Sequence, residues 1–293
     1  MSHLRLWLVA ARPRTLPAAV APVLVGTALA GTEDVFKPLR FAAALVGSIF
    51  IQIGTNLAND YSDARRGADT DDRLGPVRVT AGGLMPPRRV LVGTWVAFGI
   101  AVAAGSYLAA VAGWELFVVG ALSIAAGVLY TGGPRPYGYA GLGEVFVFVF
   151  FGLVAVGGSY FVQVEDLRWE AVALGVPVGL LAAAILVVNN VRDVETDRRA
   201  GKRTLAVRLG RERAVSVFAA MLVIAFAAVP LIALGDLEAW ILLALVSAPL
   251  ALPLTRTLSV RRDGPALNKL LADAGRLLAV FSLLLAAGLL ISS

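Results

Sequence analysis

The chain of 293 residues contains no cysteine and a single histidine, His3. The absence of cysteine excludes disulfides, thiolate catalysis and cysteine-ligated zinc, haem or iron–sulfur centres. Charged residues are also scarce, at 16%, whereas 58% of the residues are hydrophobic and the mean hydropathy is +0.80. Soluble chains average roughly 45–50% apolar and about 25% charged residues. This composition excludes a soluble enzyme, a disordered chain and a secreted disulfide scaffold, and it predicts a polytopic membrane protein.

The apolar residues are grouped into runs that are long enough to cross a bilayer, which needs about 20 residues per helix. We predict a single all-α membrane domain over residues 1–293. Its nine transmembrane helices lie near residues 15–31, 40–58, 89–111, 114–131, 142–163, 171–191, 213–234, 237–254 and 270–291.

Positive charge is distributed unequally between the predicted loops. If the N-terminus is cytoplasmic, all 26 lysines and arginines except Lys37, Arg40 and Arg168 fall on the cytoplasmic side. This pattern predicts a multi-pass protein of the plasma membrane with an external C-terminus. It also explains the isoelectric point near 10.0 without a nucleic-acid partner.

Two polar segments interrupt the apolar pattern, at the cytoplasmic ends of the second and sixth predicted spans. Counted from Asn56 and from Asn190, both have Asn at position 0, Asn or Asp at position 3, Asp at position 7 and Gly at position 11. The two segments are four helices apart. The repeat predicts two four-helix halves, over roughly 15–131 and 142–254, followed by a ninth helix over 270–291.

Residues at these spacings share one face of a helix, so each segment predicts a stripe of oxygen ligands. Carboxylates crowded between two such stripes repel one another, and a divalent cation would neutralise them. Ligation by oxygen alone favours Mg²⁺ or another hard ion such as Mn²⁺. Nearby basic residues suit a diphosphate, namely Arg65, Arg66, Arg73, Arg78, Lys202 and Arg203. A substrate with a diphosphate head and an apolar tail fits such a site, which we expect to face the cytoplasm.

A loop after the fourth span is rich in glycine, proline and tyrosine, which indicates irregular backbone. Tyr137, Tyr139, Arg135 and Glu144 could line a pocket for an aromatic substrate, although tyrosines near a membrane also serve as anchors. For Arg12, at the start of the first span, we favour membrane anchoring.

These motifs resemble those of the UbiA superfamily of intramembrane prenyltransferases. That family pairs an N-D-x-x-D-x-x-x-D motif on its second helix with D-x-x-x-D on its sixth, within a nine-helix fold. The matching residues here are Asn59, Asp60 and Asp63, followed by Asp193 and Asp197. The family's last acid of the first motif is replaced by glycine at position 67, and Asp69 is the candidate for the missing carboxylate.

Within the superfamily the chain is most similar to the enzymes that prenylate 1,4-dihydroxy-2-naphthoate. The supporting segments are Arg12-Pro-Arg-Thr-Leu-Pro-Ala, Tyr130-Thr-Gly-Gly-Pro and Gly201-Lys-Arg-Thr-Leu-Ala-Val-Arg-Leu-Gly. The resemblance implies transfer of a polyprenyl group from a polyprenyl diphosphate, with loss of CO₂ from the acceptor.

The resemblance also implies roles for individual residues. The implied Mg²⁺ ligands are Asn59, Asp60, Asp63, Asp69, Asp193 and Asp197. The implied diphosphate-binding residues are Arg65, Arg66, Arg78, Lys202 and Arg203. The implied acceptor-binding residues are Arg135, Tyr137, Tyr139, Glu144 and Asn190. The implied catalytic residues are Asp63, Asp193, Asp197, Lys202 and Arg203.

Three alternatives remain at this point. The first is a prenyltransferase with another aromatic acceptor, such as 4-hydroxybenzoate or homogentisate. The second is an ion-coupled transporter, but transporter sites lie near the bilayer midplane rather than at helix ends. The third is a lipid phosphoalcohol transferase, whose characteristic D-G-x-x-A-R sequence is absent.

Overall fold

All regular secondary structure in the part of the chain that the structure describes is helical. This structure is a computed structural model, and it describes residues 2–69, 73–235 and 237–291. The helices, numbered along the chain, are α1 (His3–Ala11), α2 (Pro17–Gly31), α3 (Pro38–Arg65), α4 (Pro87–Ala112), α5 (Glu115–Leu129), α6 (Gly143–Val164), α7 (Trp169–Arg192), α8 (Val194–Arg199), α9 (Leu205–Leu209), α10 (Arg211–Ala233), α11 (Ala239–Val260) and α12 (Gly264–Ile291).

Seven helices in the described ranges are long and apolar enough to cross a membrane: α3, α4, α6, α7, α10, α11 and α12. The segment from α1 to α2 is bent by 54° and passes the same test only as a pair. With 15 residues, α5 extends about 22 Å, less than the roughly 30 Å of a bilayer core. Every predicted span therefore corresponds to a helix, and the protein is a multi-pass membrane protein, but the count of nine crossings is not confirmed.

The ends of several helices follow from single residues. Proline begins α2, α3 and α4 at Pro17, Pro38 and Pro87, where the missing amide proton needs no partner. Gly113, with φ of 147°, makes the tight turn from α4 to α5.

The main hydrophobic core does not divide at the boundary of the sequence repeat. Its buried side chains come from α2, α6, α7, α10, α11 and α12, and α2 packs chiefly against α6 and α12. A smaller cluster joins α1, α3 and α4 through Ala10, Leu57 and Val90. Because α2 packs with the second half of the chain, the predicted arrangement of two four-helix halves is not confirmed.

One side of the bundle exposes large apolar side chains. On α4 and α5 these include Trp95, Val96, Phe117 and Leu122, and no residue of α5 is buried. Apolar surface of this extent is stable only against lipid, so α4 and α5 form a lipid-facing wall.

A close glycine contact sets the distance between α6 and α7. A Cβ atom on Gly152 would lie 2.5 Å from the carbonyl oxygen of Gly175 and 2.6 Å from the Cα of Gly179. Small residues of this kind let membrane helices approach closely. Gly152 lies in a π-helical stretch of α6, Phe148–Val154, whose side chains line the cavity described below.

Candidate active site

A cavity of about 520 Å³ lies among α2, α3, α4, α5, α6 and α7. Along α3 its wall changes from apolar residues at Ala44 and Ile51 to polar residues at Asn56, Asn59 and Asp63. The distance from residue 44 to residue 63 along a helix is about 28 Å. The cavity therefore combines a polar end at the helix termini with a long apolar part beside the lipid-facing wall.

The predicted stripe on α3 faces this cavity. Asn59 accepts a hydrogen bond from the Thr131 hydroxyl at 2.9 Å. Asp63 is buried, accepts a hydrogen bond from the Tyr139 hydroxyl at 2.7 Å and forms an ion pair with Lys202 at 2.9 Å. The helix ends at Arg65, and Gly67 has left-handed backbone with φ of 65°. The fourth position of the predicted stripe thus lies outside the helix.

The second stripe also lines the cavity, but its helix is interrupted. Asn190 is the last of its polar residues within α7; Asp193 caps that helix, and Asp197 lies on the short α8. Arg192 donates to Asp193 at 2.6 and 2.8 Å, and Arg73 donates to it at 3.1 Å. The prediction of one continuous helix through these residues is wrong, because α7 ends at Arg192.

Asp60 and Asp69 do not belong to the cavity wall as the structure describes it. The two oxygens of Asp60 accept hydrogen bonds from the backbone amides of Val79, at 3.1 Å, and Thr80, at 2.9 Å. Asp69 forms ion pairs with Arg73 and with Arg78, the latter at 3.5 Å. These carboxylates hold the loop before α4 against the end of α3, so their predicted role as metal ligands stays a prediction.

Lys202, Arg73 and Arg78 bring positive charge into the cavity. Lys202 lies above the Tyr139 ring, with its nitrogen 4.9 Å from the ring centroid. Arg73 and Arg78 come from the loop that Asp60 and Asp69 hold in place. Cations from two distant loops thus meet at the polar end of the cavity.

Three other predicted diphosphate-binding residues lie elsewhere. Arg65 donates to the Tyr61 hydroxyl at 3.0 Å, and Arg66 donates to the carbonyl of Gly133. Arg203 is exposed, and its backbone amide donates to the Tyr139 carbonyl. None of the three arginines lines the cavity among the described residues, so their direct contact with substrate stays a prediction.

The tyrosine-rich loop forms one side of the cavity. Tyr137 stacks on Phe146 with 3.9 Å between ring centroids, and its hydroxyl donates to the Ala126 carbonyl at 2.9 Å. Burial raises the pKa of Tyr137 and of Tyr139, so both phenols stay protonated at neutral pH. The two rings therefore offer apolar surface, while their hydroxyl groups are already engaged.

The remaining predicted acceptor-binding residues are divided between the interior and the surface. Glu144 is buried and accepts a hydrogen bond at 2.8 Å from Asn190, which lines the cavity. Among the residues that the structure describes, none forms a hydrogen bond with the second, buried oxygen of Glu144. Arg135 is exposed. The structure thus places Tyr137, Tyr139 and Asn190 on the cavity wall, with Glu144 directly behind it.

Comparisons with known proteins agree with this geometry. Residues 19–279 match the UbiA prenyltransferase family. The chain belongs to the UbiA prenyltransferase family. Two curated relatives are named 1,4-dihydroxy-2-naphthoate octaprenyltransferase. The one from Mycobacterium tuberculosis is 42% identical, with 99% of this chain and 98% of the relative covered. The one from Escherichia coli is 37% identical, with 100% and 97% covered.

Solved UbiA structures share the fold. A UbiA homolog from Archaeoglobus fulgidus, solved with GPP and Mg²⁺, superposes with a TM-score of 0.68 at 16% identity, covering 98% of this chain and 99% of that one. A homolog from Aeropyrum pernix gives the same TM-score at 15% identity, with 93% and 97% covered.

The site of this UbiA protein contains a cation, Arg12, for which the sequence favours membrane anchoring instead. Arg12 lies between α1 and the turn before α2, and its backbone is left-handed. Its side chain lines the cavity and donates to the Asn56 carbonyl at 3.4 Å. The Asn56 side chain in turn donates to Ala11 and Thr15. The position of this arginine within an apolar segment could have indicated that it lines the site, because charged residues in such segments usually face the protein interior.

The side chains in the cavity fit a hard divalent cation by their chemistry. The described residues contain no ready-made group of three carboxylate or histidine ligands. Asn59, Asp63, Asp193 and Asp197 nevertheless all present oxygen ligands to one cavity. Burial, together with the nearby carboxylates of Asp193 and Asp63, raises the pKa of Asp197 to about 7. Ionised carboxylates therefore repel one another here, and a divalent cation would remove that repulsion.

Proposed function

We propose that this enzyme transfers a polyprenyl group from a polyprenyl diphosphate to 1,4-dihydroxy-2-naphthoate, with loss of diphosphate and CO₂. The product is a demethylmenaquinol, a precursor of menaquinone. Family membership supports prenyl transfer, and the curated relatives with this activity support the acceptor. Membership of a prenyltransferase family also argues against the ion-coupled transporter.

The observation that carries the proposal is the division of the cavity into two chemically different parts. Asp63, Asp193 and Lys202 lie at one end, whereas the rest of the wall is mainly apolar. The apolar part is lined by residues of α4, α5 and α6, including Leu108, Leu116, Phe117, Ile124 and Phe150. A diphosphate with a long hydrocarbon chain matches both parts at once.

At the polar end, Lys202, Arg73 and Arg78 would bind the diphosphate oxygens. In the structure these cations are paired with the carboxylates of Asp63, Asp69 and Asp193. A metal held by Asp63 and Asp193 would loosen their ion pairs with Lys202 and Arg73, which would make these two cations available for phosphate. They would then stabilise the negative charge that develops on the departing diphosphate.

The residues suited to hold Mg²⁺, or Mn²⁺, are Asn59, Asp63, Asp193 and Asp197. Bound there, the ion supplies positive charge to the leaving group. Solved UbiA homologs with Mg²⁺ and with Cd²⁺ support a divalent metal in this fold. Tyr139 and Thr131 would orient the Asp63 and Asn59 ligands through their hydrogen bonds.

The reaction also requires a dry environment for the prenyl cation that forms when the carbon–oxygen bond to diphosphate breaks. Phe146, Phe150 and the Tyr137 ring surround the adjoining part of the cavity and exclude water. The electron-rich ring carbon that bears the carboxylate attacks the cation. The acceptor carboxylate leaves as CO₂, and its electron pair restores the aromatic ring.

The fold and the charge distribution also support a topology. We propose nine crossings of the plasma membrane, with α1–α2 as the first crossing and α5 as a short fourth one. The N-terminus and the polar end of the cavity would face the cytoplasm, and the C-terminus would be external. The asymmetric distribution of lysine and arginine supports this orientation.

The activity is tested with purified protein, geranylgeranyl diphosphate, Mg²⁺ and 1,4-dihydroxy-2-naphthoate, with the product identified by mass. We expect demethylmenaquinol formation that EDTA abolishes and added Mg²⁺ restores. Parallel reactions contain 4-hydroxybenzoate or homogentisate instead. Product from one of these acceptors alone would retain prenyl transfer and overturn the naphthoate assignment. Folded protein that binds no prenyl diphosphate would overturn the proposal as a whole.

A further inference from the structure

A second cavity, of about 800 Å³, lies at the same polar end of the bundle and outside the active-site cavity. We call it the basic cavity. It is lined by the end of α7, by α8, by the start of α10 and by the loop before α12. Six arginines and two glutamates lie among its lining residues. The arginines are Arg192, Arg198, Arg199, Arg211, Arg213 and Arg262, and the glutamates are Glu195 and Glu212. The described wall of the basic cavity therefore has a strong excess of positive charge.

Much of this charge is already engaged by the protein. Arg192 donates to the active-site residue Asp193 at 2.6 Å and to Asn268 on α12 at 2.9 Å. Arg211 donates to the carbonyls of Val191 and Leu258 and so joins the ends of α7 and α11. These contacts are structural and leave little capacity for a ligand.

Arg213 and Arg262 differ from the other arginines in the cavity. Both are exposed, and within the described part of the chain neither forms a side-chain hydrogen bond or ion pair. Arg262 also lies close enough to Arg211 for their like charges to repel. Two free guanidinium groups at one cavity wall are suited to bind a phosphate group.

Backbone geometry adds to the attraction for an anion. The 23-residue helix α10 begins here, at Arg211, and its N-cap residue Gly210 provides no side-chain hydrogen bond. The first amide groups of such a helix carry partial positive charge, and the residues that supply them, Arg211, Glu212 and Arg213, line the cavity. The helix terminus and the two arginines therefore favour the same kind of ligand.

The surface that continues from the basic cavity identifies the source of the phosphate. Along α10, Arg213 shares an exposed stripe with Ala220, Ile224, Ala227 and Leu231. These positions fall on one face of the helix, because their spacings of 7, 11, 14 and 18 are multiples of about 3.6. Beyond Arg213 the stripe is apolar and exposed, as expected of a helix face that contacts lipid. An acyl chain attached to a phosphate at Arg213 could therefore lie along this apolar helix face over its whole length.

We propose that the basic cavity binds the headgroup of an anionic phospholipid, with Arg213 and Arg262 contacting its phosphate and the acyl chains lying along α10. Basic pockets between membrane helices on one side of a bilayer are a recognised way of binding such headgroups. The site is separate from the diphosphate-binding end of the active-site cavity, which Arg213 and Arg262 do not line.

The test measures binding of fluorescent phosphatidylglycerol to the full-length protein in micelles that contain excess phosphatidylcholine. We expect saturable binding to the wild-type protein. In the double variant R213Q/R262Q the affinity should fall roughly 20- to 30-fold, because each basic residue near a lipid headgroup contributes a factor of about five. R213K/R262K, which keeps both charges, should retain most of the binding.

The matched control is R88Q/R89Q, which removes two exposed arginines that line neither cavity. Its affinity should stay within about twofold of wild type. Equal losses in R213Q/R262Q and R88Q/R89Q would show attraction by overall surface charge and would overturn the site. Displacement by inorganic phosphate as effective as displacement by unlabelled phosphatidylglycerol would overturn the lipid as occupant. Melting temperatures of all variants establish that they are folded.

Discussion

The hydrogen bond from Tyr139 to Asp63 separates two roles for Tyr139. The tyrosine-rich sequence of this loop predicts acceptor binding, whereas the structure places the Tyr139 hydroxyl 2.7 Å from a proposed metal ligand. Tyr139→Phe removes only the hydroxyl group. The ring remains, with its contacts to Lys202 at 4.9 Å and Arg66 at 5.7 Å. We therefore expect the variant to fold normally and to be impaired in its use of Mg²⁺.

The size of this effect follows from the bond that is lost. A hydrogen bond to a charged group contributes about 1.5–3 kcal/mol. The lower end applies here, because Lys202 still contacts Asp63 at 2.9 Å. At about 1.4 kcal/mol per factor of ten, the Mg²⁺ concentration for half-maximal activity should rise about tenfold. This agrees with the 10- to 100-fold loss of metal affinity that is typical when a partner of a metal ligand is removed.

The assay titrates Mg²⁺ at saturating substrates and then measures KM separately for prenyl diphosphate and for naphthoate. The matched control is Tyr137→Phe, which makes the same change two residues away, where the hydroxyl donates to the Ala126 carbonyl instead. The control should need nearly the wild-type Mg²⁺ concentration. If Tyr139→Phe raises KM for the naphthoate and leaves the Mg²⁺ titration unchanged, Tyr139 binds the acceptor and our reasoning is wrong.

Three further predictions concern the carboxylates. Asp193→Asn and Asp197→Asn should each lower kcat/KM more than about 100-fold through loss of metal affinity. The control Glu195→Gln changes an exposed residue of α8 and should leave kcat/KM at the wild-type value. Equal losses in all three variants would mean that damage to the helix, rather than loss of a metal ligand, lowers the activity. Burial raises the pKa of Asp197 to about 7, so Mg²⁺ competes with a proton for this carboxylate below that pH. The Mg²⁺ concentration for half-maximal activity should therefore fall about tenfold per pH unit as the pH rises towards 7, and it should level off near pH 8. A half-maximal concentration that does not change with pH would contradict this. Asp60→Asn should lower the melting temperature, because one of the two buried backbone amides loses its hydrogen-bond partner at a cost of about 1–3 kcal/mol. The Mg²⁺ concentration for half-maximal activity should stay unchanged. A higher Mg²⁺ concentration with an unchanged melting temperature would instead make Asp60 a metal ligand.

The membrane class and the approximate helix positions follow from the sequence alone, because transfer into a bilayer depends on the local composition of each segment. The spacing of Asn56, Asn59 and Asp63 likewise places these residues on one face wherever the helix packs. The family motifs add the chemistry of the site. None of these inferences requires knowledge of which helices are neighbours.

The partners of each polar side chain depend on those neighbours, and only the tertiary structure decides them. Asp60 and Asp63 are three residues apart, yet one holds a loop and the other lines the cavity, because their carboxylates face different elements. Arg12 and Arg73 reach the site from segments that are far away in sequence from Asp193. Such convergence depends on helix packing over the whole chain, which local spacing and composition do not encode.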